Sequence, residues 1–232
     1  MNMVYIYYDN PEMLGLQIAC WNSYANVLGR LPEIFLIDDA SPRAPALDVV
    51  NRLKCECPLH VFRIQENIPW NCAGARNLGC LQASGWIYMS DMDTLLLKEQ
   101  AKQLFEGHSL DSRCFYSPKR VVYRNSRDYK RSQSILVFHK DRYLQIGGYD
   151  EDYAGHYGKE DRDFWDRLLR QASLIHRDDV LVHWVEPCVV KDAATSDYDR
   201  DSSRNEALFN YKRALGLVNP TNPLRFSWKK IR

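Results

Sequence analysis

Asp91-Met92-Asp93 closes the apolar run Gly85-Trp86-Ile87-Tyr88-Met89-Ser90 and precedes Leu95-Leu96-Leu97. Two carboxylates one residue apart at the end of a strand can hold a hard divalent cation. Such an ion keeps several waters and is completed by substrate phosphates. An isolated Asp-x-Asp is otherwise a solvated turn. Further on, Tyr153-Ala154-Gly155-His156-Tyr157-Gly158-Lys159 leads into Glu160-Asp161, at the start of a helical pattern. The helix macrodipole favours acids there, which accounts for one of the pair. A carboxylate in a glycine-lined pocket beside an aromatic ring can also take the proton of an attacking sugar hydroxyl. His183 ends the run Val180-Leu181-Val182. As a neutral imidazole it would complete a metal shell; its alternative is a purely structural role.

These groups need a scaffold that brings strand ends together. Val4–Tyr8 reads as a first strand, Ile34–Ile37 as a second, Leu59–Ile64 as a third and Trp86–Ser90 as a fourth. Between them, Leu14, Ile18, Trp21, Ala25 and Leu28 recur at helical spacing, as do Leu47, Val50 and Leu53, and Ala73–Ala83 is a helix entered through Gly74. Alternation of this kind predicts a mostly parallel sheet covered by helices on both faces, with ligands beyond the carboxyl ends of its strands. Asp9, Asp38, Asp39 and Asp91 all fall at those ends. After Asp93 the rhythm changes. Lys98–Phe105 is helical, short strands follow near Cys114–Tyr116 and Ser134–His139, and Gly147-Gly148 makes a turn. Glu160–Gln171 is a helix and Val180–Val185 a late strand; residues 191–204 read as a mobile loop, followed by a helix at Asn205–Leu215 and a proline-containing tail.

The bulk numbers allow this and exclude little else. The chain of 232 residues carries 45% hydrophobic and 26% charged side chains, enough for one large core. Thirty-one basic against thirty acidic residues leave a net charge of +1, so no global attraction to nucleic acid or anionic membrane follows. No apolar stretch reaches the roughly 18–20 residues that span a bilayer, and the first residues lack the features of a signal peptide. Seven scattered cysteines read as reduced thiols. A cytoplasmic protein is expected, with peripheral attachment at a membrane surface as the alternative.

Taken in order, Ile37-Asp38-Asp39-Ala40-Ser41, Asn67, Ala75-Arg76-Asn77-Leu78-Gly79, Asp91-Met92-Asp93, Gly147-Gly148 and Glu160-Asp161 resemble the GT-A glycosyltransferases, and within them the inverting family 2 enzymes. The Gly155–Asp163 stretch also resembles the Gly-Trp-Gly-Gly-Glu-Asp segment of β-1,4-galactosyltransferases and polypeptide N-acetylgalactosaminyltransferases, with His156, Tyr157 and Lys159 departing from it. The resemblance covers about residues 4–185. It implies an α/β single domain, with a Rossmann-like nucleotide-binding half (1–93) fused to a mixed-sheet acceptor half (94–190), and 191–232 packing against it. It implies a nucleotide-sugar donor, UDP-linked, and Mn²⁺ or Mg²⁺ gripped by Asp91 and Asp93 with His183. Tyr8, Asp9, Asp38, Asp39, Asn67, Arg76 and Asp91 would bind the donor, with Asp38 behind Asp9 and Asp39. Asp161 would be the general base of an inverting transfer, with Glu160 on a sugar hydroxyl. Tyr157, Gly158 and Gly148 would meet the acceptor.

Between Arg113 and Arg131 seven basic residues (113, 119, 120, 124, 127, 130 and 131) stand against one acid, Asp128, with Tyr116, Tyr123 and Tyr129 interleaved. A solvated loop, an anionic acceptor (a phosphorylated glycan, a lipid-linked sugar or, as a minority reading, DNA) and an anionic lipid surface all fit this pattern. Two other functions compete with glycosyl transfer. A nucleotidyltransferase would share the sheet edge and metal, but Tyr8-Asp9-Asn10-Pro11-Glu12 is not its Gly-rich, basic loop. A non-catalytic sugar-binding relative would be expected to have lost one of these carboxylates.

Overall fold

The computed structural model describes residues 1–107, 109–191 and 198–232. Among these residues, nine strands form one mixed sheet in the order β5-β8-β6-β7-β4-β1-β2-β3-β9. Its first half holds four parallel strands: β1 (Asn2–Tyr7), β2 (Glu33–Asp38), β3 (Leu59–Ile64) and β4 (Trp86–Ser90). The register sets Tyr7 beside Asp38 and Tyr5 beside Ser90, so the chain leaves all these strands at one edge. Asp9, Asp39 and Asp91 follow within two residues of that line.

Side chains alternate across β1 as a strand demands. Met3, Tyr5 and Tyr7 face a core shared with α1 (Pro11–Asn22), α2 (Ala46–Arg52) and α4 (Lys98–Glu106). Val4 faces the opposite core, shared with α3 (Cys72–Gln82), α5 (Lys140–Gln145) and α6 (Glu160–Gln171). Helices thus cover both faces, which is why the parallel strands are apolar along nearly their whole length. α3 lies so close to β1 that a Cβ at Gly79 would come within 2.3 Å of the Val4 side chain. That approach carries Arg76, one turn earlier, to the sheet edge.

The second half is mixed. β7 (Leu136–His139) runs antiparallel to β4, and β6 (Cys114–Val122) antiparallel to β7. β8 (Ser173–Trp184) lies parallel to β6, and the two-residue β5 (Thr94–Leu95) pairs antiparallel with the end of β8. β8 begins seven residues before the expected late strand. Its first half, Ser173–Asp179, is polar and largely exposed on one side, so no apolar alternation announces it; backbone pairing with β6 makes it a strand. The tail adds β9 (Trp228–Lys230), antiparallel to β3 at the sheet margin, where two lysines suit an edge strand. α7 (Ser203–Ala214) precedes it. Of the expected 191–204 loop, only 191 and 198–204 fall among the described residues. Among the described residues, no helix is long and apolar enough to cross a membrane.

Candidate active site

The Asp91–Asp93 turn is fixed from several directions. The Thr94 amide donates to the Asp91 carbonyl at 3.2 Å, and the Val185 amide to the Asp93 carbonyl at 2.7 Å. From α1, the fully buried Gln17 donates through Nε2 to the carbonyls of Met92 (2.7 Å) and Thr94 (2.9 Å). The Asp93 carboxylate accepts from Trp184 Nε1 at 2.9 Å and Thr94 Oγ1 at 3.1 Å, with the Arg120 guanidinium 4.0 Å away. Burial, and then the charge of Asp91, push the Asp93 carboxyl up to about 6. Asp91 accepts from Ser134 Oγ on one oxygen and from Arg76 Nη2, at 2.9 Å, on the other.

Arg76 joins the two halves of the site. It is 5% exposed, and its Nη1 donates to Asp161 Oδ1 at 2.6 Å while Nη2 holds Asp91. Its guanidinium carbon lies 4.9 Å from the centre of the Tyr149 ring, and the Tyr149 hydroxyl donates to the same Asp161 oxygen at 3.1 Å. Burial raises the Asp161 carboxyl above its ordinary range, and the Arg76 charge opposes that rise. Glu160, beside it at the start of α6, is pushed up to about 7 by burial and then by the Asp161 charge. Lys159, in the left-handed region at φ 76°, turns the chain into this helix so that both acids stand at its first turn.

A cavity of about 300 Å³ opens over this edge, walled by Tyr8, Asp39, Trp70, Arg76, Asp91 and Asp93 together with Trp184 and Tyr198. The Tyr8 and Tyr198 hydroxyls lie 2.5 Å apart, and Asn67 Oδ1 accepts from them at 3.3 and 3.1 Å. Asp39 accepts from Asn71 Nδ2 at 3.1 Å, and burial pushes its carboxyl up to about 7. A second cavity, about 420 Å³, shares Trp70 and Tyr198 with the first and is walled further by Pro69, His156, Tyr157, Asp199 and Arg204. Trp70 stands edge-on to Tyr157 at 4.7 Å. Gly158 takes φ 82°, a value that suits glycine, and its carbonyl accepts from Asn205 Nδ2 at 2.8 Å. The same amide reaches the carbonyls of Tyr153 (3.0 Å) and His156 (2.8 Å), so fully buried Asn205 fastens the 153–158 loop to α7.

Four expected site residues lie elsewhere or are otherwise engaged. Asp9 Oδ1 accepts from the amides of Arg43 (3.0 Å) and Ala44 (2.8 Å), and its other oxygen faces Arg43 Nε at 3.3 Å. Asp38, with no exposure at all, accepts from the Ser41 and Ala46 amides at 2.8 and 3.0 Å and from Arg63 Nη1 at 2.8 Å. Both carboxylates hold the 41–46 loop in shape. His183 does not join Asp91 and Asp93. Alternation along β8 turns Trp184 to Asp93 and leaves His183 on the other face, edge-on to Tyr123 at 6.5 Å, where burial lowers its pKa and keeps it neutral. Gly148 is buried behind α3 rather than on a cavity wall: a Cβ there would come within 2.7 Å of Asn77 Oδ1 and 2.9 Å of the Tyr143 ring.

The Asp91–Asp93 pair nevertheless fits a divalent ion. Both residues line the cavity, the charge of Asp91 adds to burial in raising the Asp93 carboxyl, and two protein carboxylates suit an ion whose other ligands are phosphates and water. Among the described residues no third His, Cys, Asp or Glu stands close enough to make a cluster with them. Residues that sequence reading missed include Ser134, Trp184, Tyr149 and Asn205. Only Trp184 had a usable signal: on a strand, one of the neighbours 183 and 184 must face the site. The other three act across separations of 12 to 52 residues and leave no local pattern.

Residues 120–183, just over a quarter of the chain, match the model of the N-terminal domain of galactosyltransferase. No curated protein matches the sequence. Among solved structures, Staphylococcus aureus TarS in complex with UDP-GlcNAc is similar at TM-score 0.67 and 14% identity, covering 91% of this chain and 66% of that one. GalNAc-T7 with UDP, GalNAc and Mn²⁺ gives 0.63 and 16%, covering 80% and 43%. The catalytic domain of Drosophila β1,4-galactosyltransferase 7 in complex with xylobiose gives 0.53 and 18%, covering 78% and 65%. The chain thus spans less than two thirds of the length of each of these chains. At such identities the likeness is one of architecture: a Rossmann-like strand order continued by a mixed, antiparallel-edged half is the GT-A glycosyltransferase fold.

Proposed function

We propose that the protein is a metal-dependent glycosyltransferase that moves a sugar from a UDP-sugar to an acceptor hydroxyl with inversion, Asp161 being the general base. The observation that carries this reading is the single buried guanidinium of Arg76, bonded at once to Asp91 and Asp161. It keeps the diphosphate-binding acids and the candidate base at a fixed separation on one sheet edge. The UDP and Mn²⁺ present in the GalNAc-T7 structure, and UDP-GlcNAc in that of TarS, favour the same donor class and ion here.

In this mechanism the donor fills the first cavity, with Tyr8, Asn67 and Asp39 against its nucleoside and Arg76 beside its phosphates. A Mn²⁺ or Mg²⁺ ion held by Asp91 and Asp93 would offset the charge that develops on the departing diphosphate. Both hydrogen bonds to Asp161 fall on Oδ1, leaving Oδ2 to take the acceptor's proton. As that proton leaves, the acceptor oxygen bonds to the anomeric carbon, the bond from that carbon to phosphate breaks, and the nucleoside diphosphate departs. Trp70 and Tyr198 line both cavities, and Tyr157 lines the second. Glu160 stands next to the reacting centre and binds a sugar hydroxyl.

Incubation with a panel of UDP-, GDP- and dTDP-sugars and Mn²⁺ tests the proposal. Slow release of nucleoside diphosphate from one donor, abolished by EDTA, is the expected result. Pyrophosphate exchange instead would indicate nucleotidyl transfer, and silence from every donor a sugar-binding relative.

A further inference from the structure

The basic stretch is a hairpin built onto the rim of the donor cavity. The Val122 amide donates to the Arg127 carbonyl at 2.8 Å and the Tyr129 amide to the Arg120 carbonyl at 3.0 Å, so residues 120–129 fold back on themselves at the end of β6. At its base, Tyr129 stacks on Trp184 with centroids 4.4 Å apart and 17° between planes, and the Arg120 guanidinium lies 5.0 Å from the Tyr129 ring. Trp184 in turn walls the donor cavity and donates to Asp93. The hairpin is therefore continuous with the reaction centre through one pair of stacked rings.

Its charges divide into two groups. Four cations are engaged: Arg113 with Asp111, Lys119 with Asp128, Arg120 near Asp93 and Arg131 with Asp178. Arg124 and Arg127 are exposed near the hairpin tip and Lys130 is exposed just past its base, all within a seven-residue window. Three like charges held together on a short hairpin repel, and a ligand with several negative charges relieves that repulsion. A single carboxylate would neutralise only one.

We infer that this hairpin is the acceptor-binding surface for a phosphate-bearing glycan, its phosphates lying along Arg124, Arg127 and Lys130 while the accepting sugar reaches past Trp184 to the reaction centre. The assignment rests on the glycosyltransferase reading and names the acceptor class for it. An anionic membrane is a different partner.

The test compares the wild-type protein with R124S/R127S/K130S, three exposed positions outside the donor and base machinery. Linear inorganic polyphosphate and a neutral oligosaccharide serve as probes in titrations at two salt concentrations, alongside vesicles of phosphatidylglycerol and phosphatidylcholine. Polyphosphate binding by the wild type, weakened about tenfold or more in the variant at low salt and less so as salt screens exposed charges, is expected. Equal binding by both proteins, or capture by anionic vesicles without polyphosphate binding, overturns the inference. Nucleoside diphosphate release with Mn²⁺ is measured in parallel. If both proteins release it, failed polyphosphate binding removes only the acceptor assignment; if neither does, the glycosyltransferase reading itself fails.

Discussion

Asp38, at the end of β2, and Asp161, in the first turn of α6, are both acids on the same side of the sheet, yet their surroundings differ sharply. Asp38 is completely enclosed, and its two oxygens receive two backbone amides and an arginine. Its capacity to accept is spent on the shape of the 41–46 loop. Asp161 has a side chain 32% exposed, and its bonds from Arg76 and Tyr149 converge on one oxygen. In the proposed mechanism an acid at this edge can serve as a base only when the fold leaves one of its oxygens unspent.

The sharpest way to break this comparison is Asp161→Asn. Loss of a general base costs about 10²–10⁴-fold in rate, and donor affinity should be nearly unchanged because Asn still accepts from Arg76 and Tyr149. Single-turnover transfer and a donor titration measure the two quantities; a variant that retains near-wild-type turnover removes Asp161 from the chemistry. Asp38→Asn should do the reverse. Three donors would face one remaining acceptor and an inward-turned NH₂, a loss of about 2–4 kcal/mol in unfolding free energy, with the turnover of the folded fraction preserved. Denaturant titration and specific activity distinguish this from a catalytic role.

Asp39 lies between the two cases, since it walls the cavity and yet is 7% exposed. Its folded pKa is raised to about 7, mainly by burial, whereas the unfolded chain releases the proton near about 4. The folded state therefore holds more protons between these values. The Asp39 contribution to stability is therefore fully present below about pH 4 and is lost as pH rises through about 7. Asp39→Asn carries no charge and should flatten that decline, raising the melting temperature at pH 8 by a few degrees, about 1–3 kcal/mol, while weakening donor binding. Melting curves from pH 4 to 8 for both proteins check it; parallel curves would mean that Asp39 is ionised without strain.

The parallel half was legible in the sequence because its physics is local. β3 and β4 begin and end where their apolar runs do, α6 runs from Glu160 to Gln171 as its periodicity requires, and Gly147-Gly148 turns the chain. Where sequence reading failed, the determinant lay far away along the chain. Ser173–Asp179 is a strand because β6 lies beside it, and Trp228–Lys230 because β3 has a free margin. The site divides in the same way. Asp91, Asp93, Glu160 and Asp161 were marked by their spacing, but Tyr149 and Ser134 come to them only through the folded sheet. His183 misled because a histidine after an apolar run says nothing about which face of the strand it occupies.

Asn205 carries a mechanical consequence. One side-chain amide, closed off from water, grips three carbonyls of the segment that bears Tyr157. That segment has no swing of its own: to tilt, it must take α7 with it or surrender all three bonds together. Any movement of that side of the second cavity would therefore have to carry the start of α7 with it.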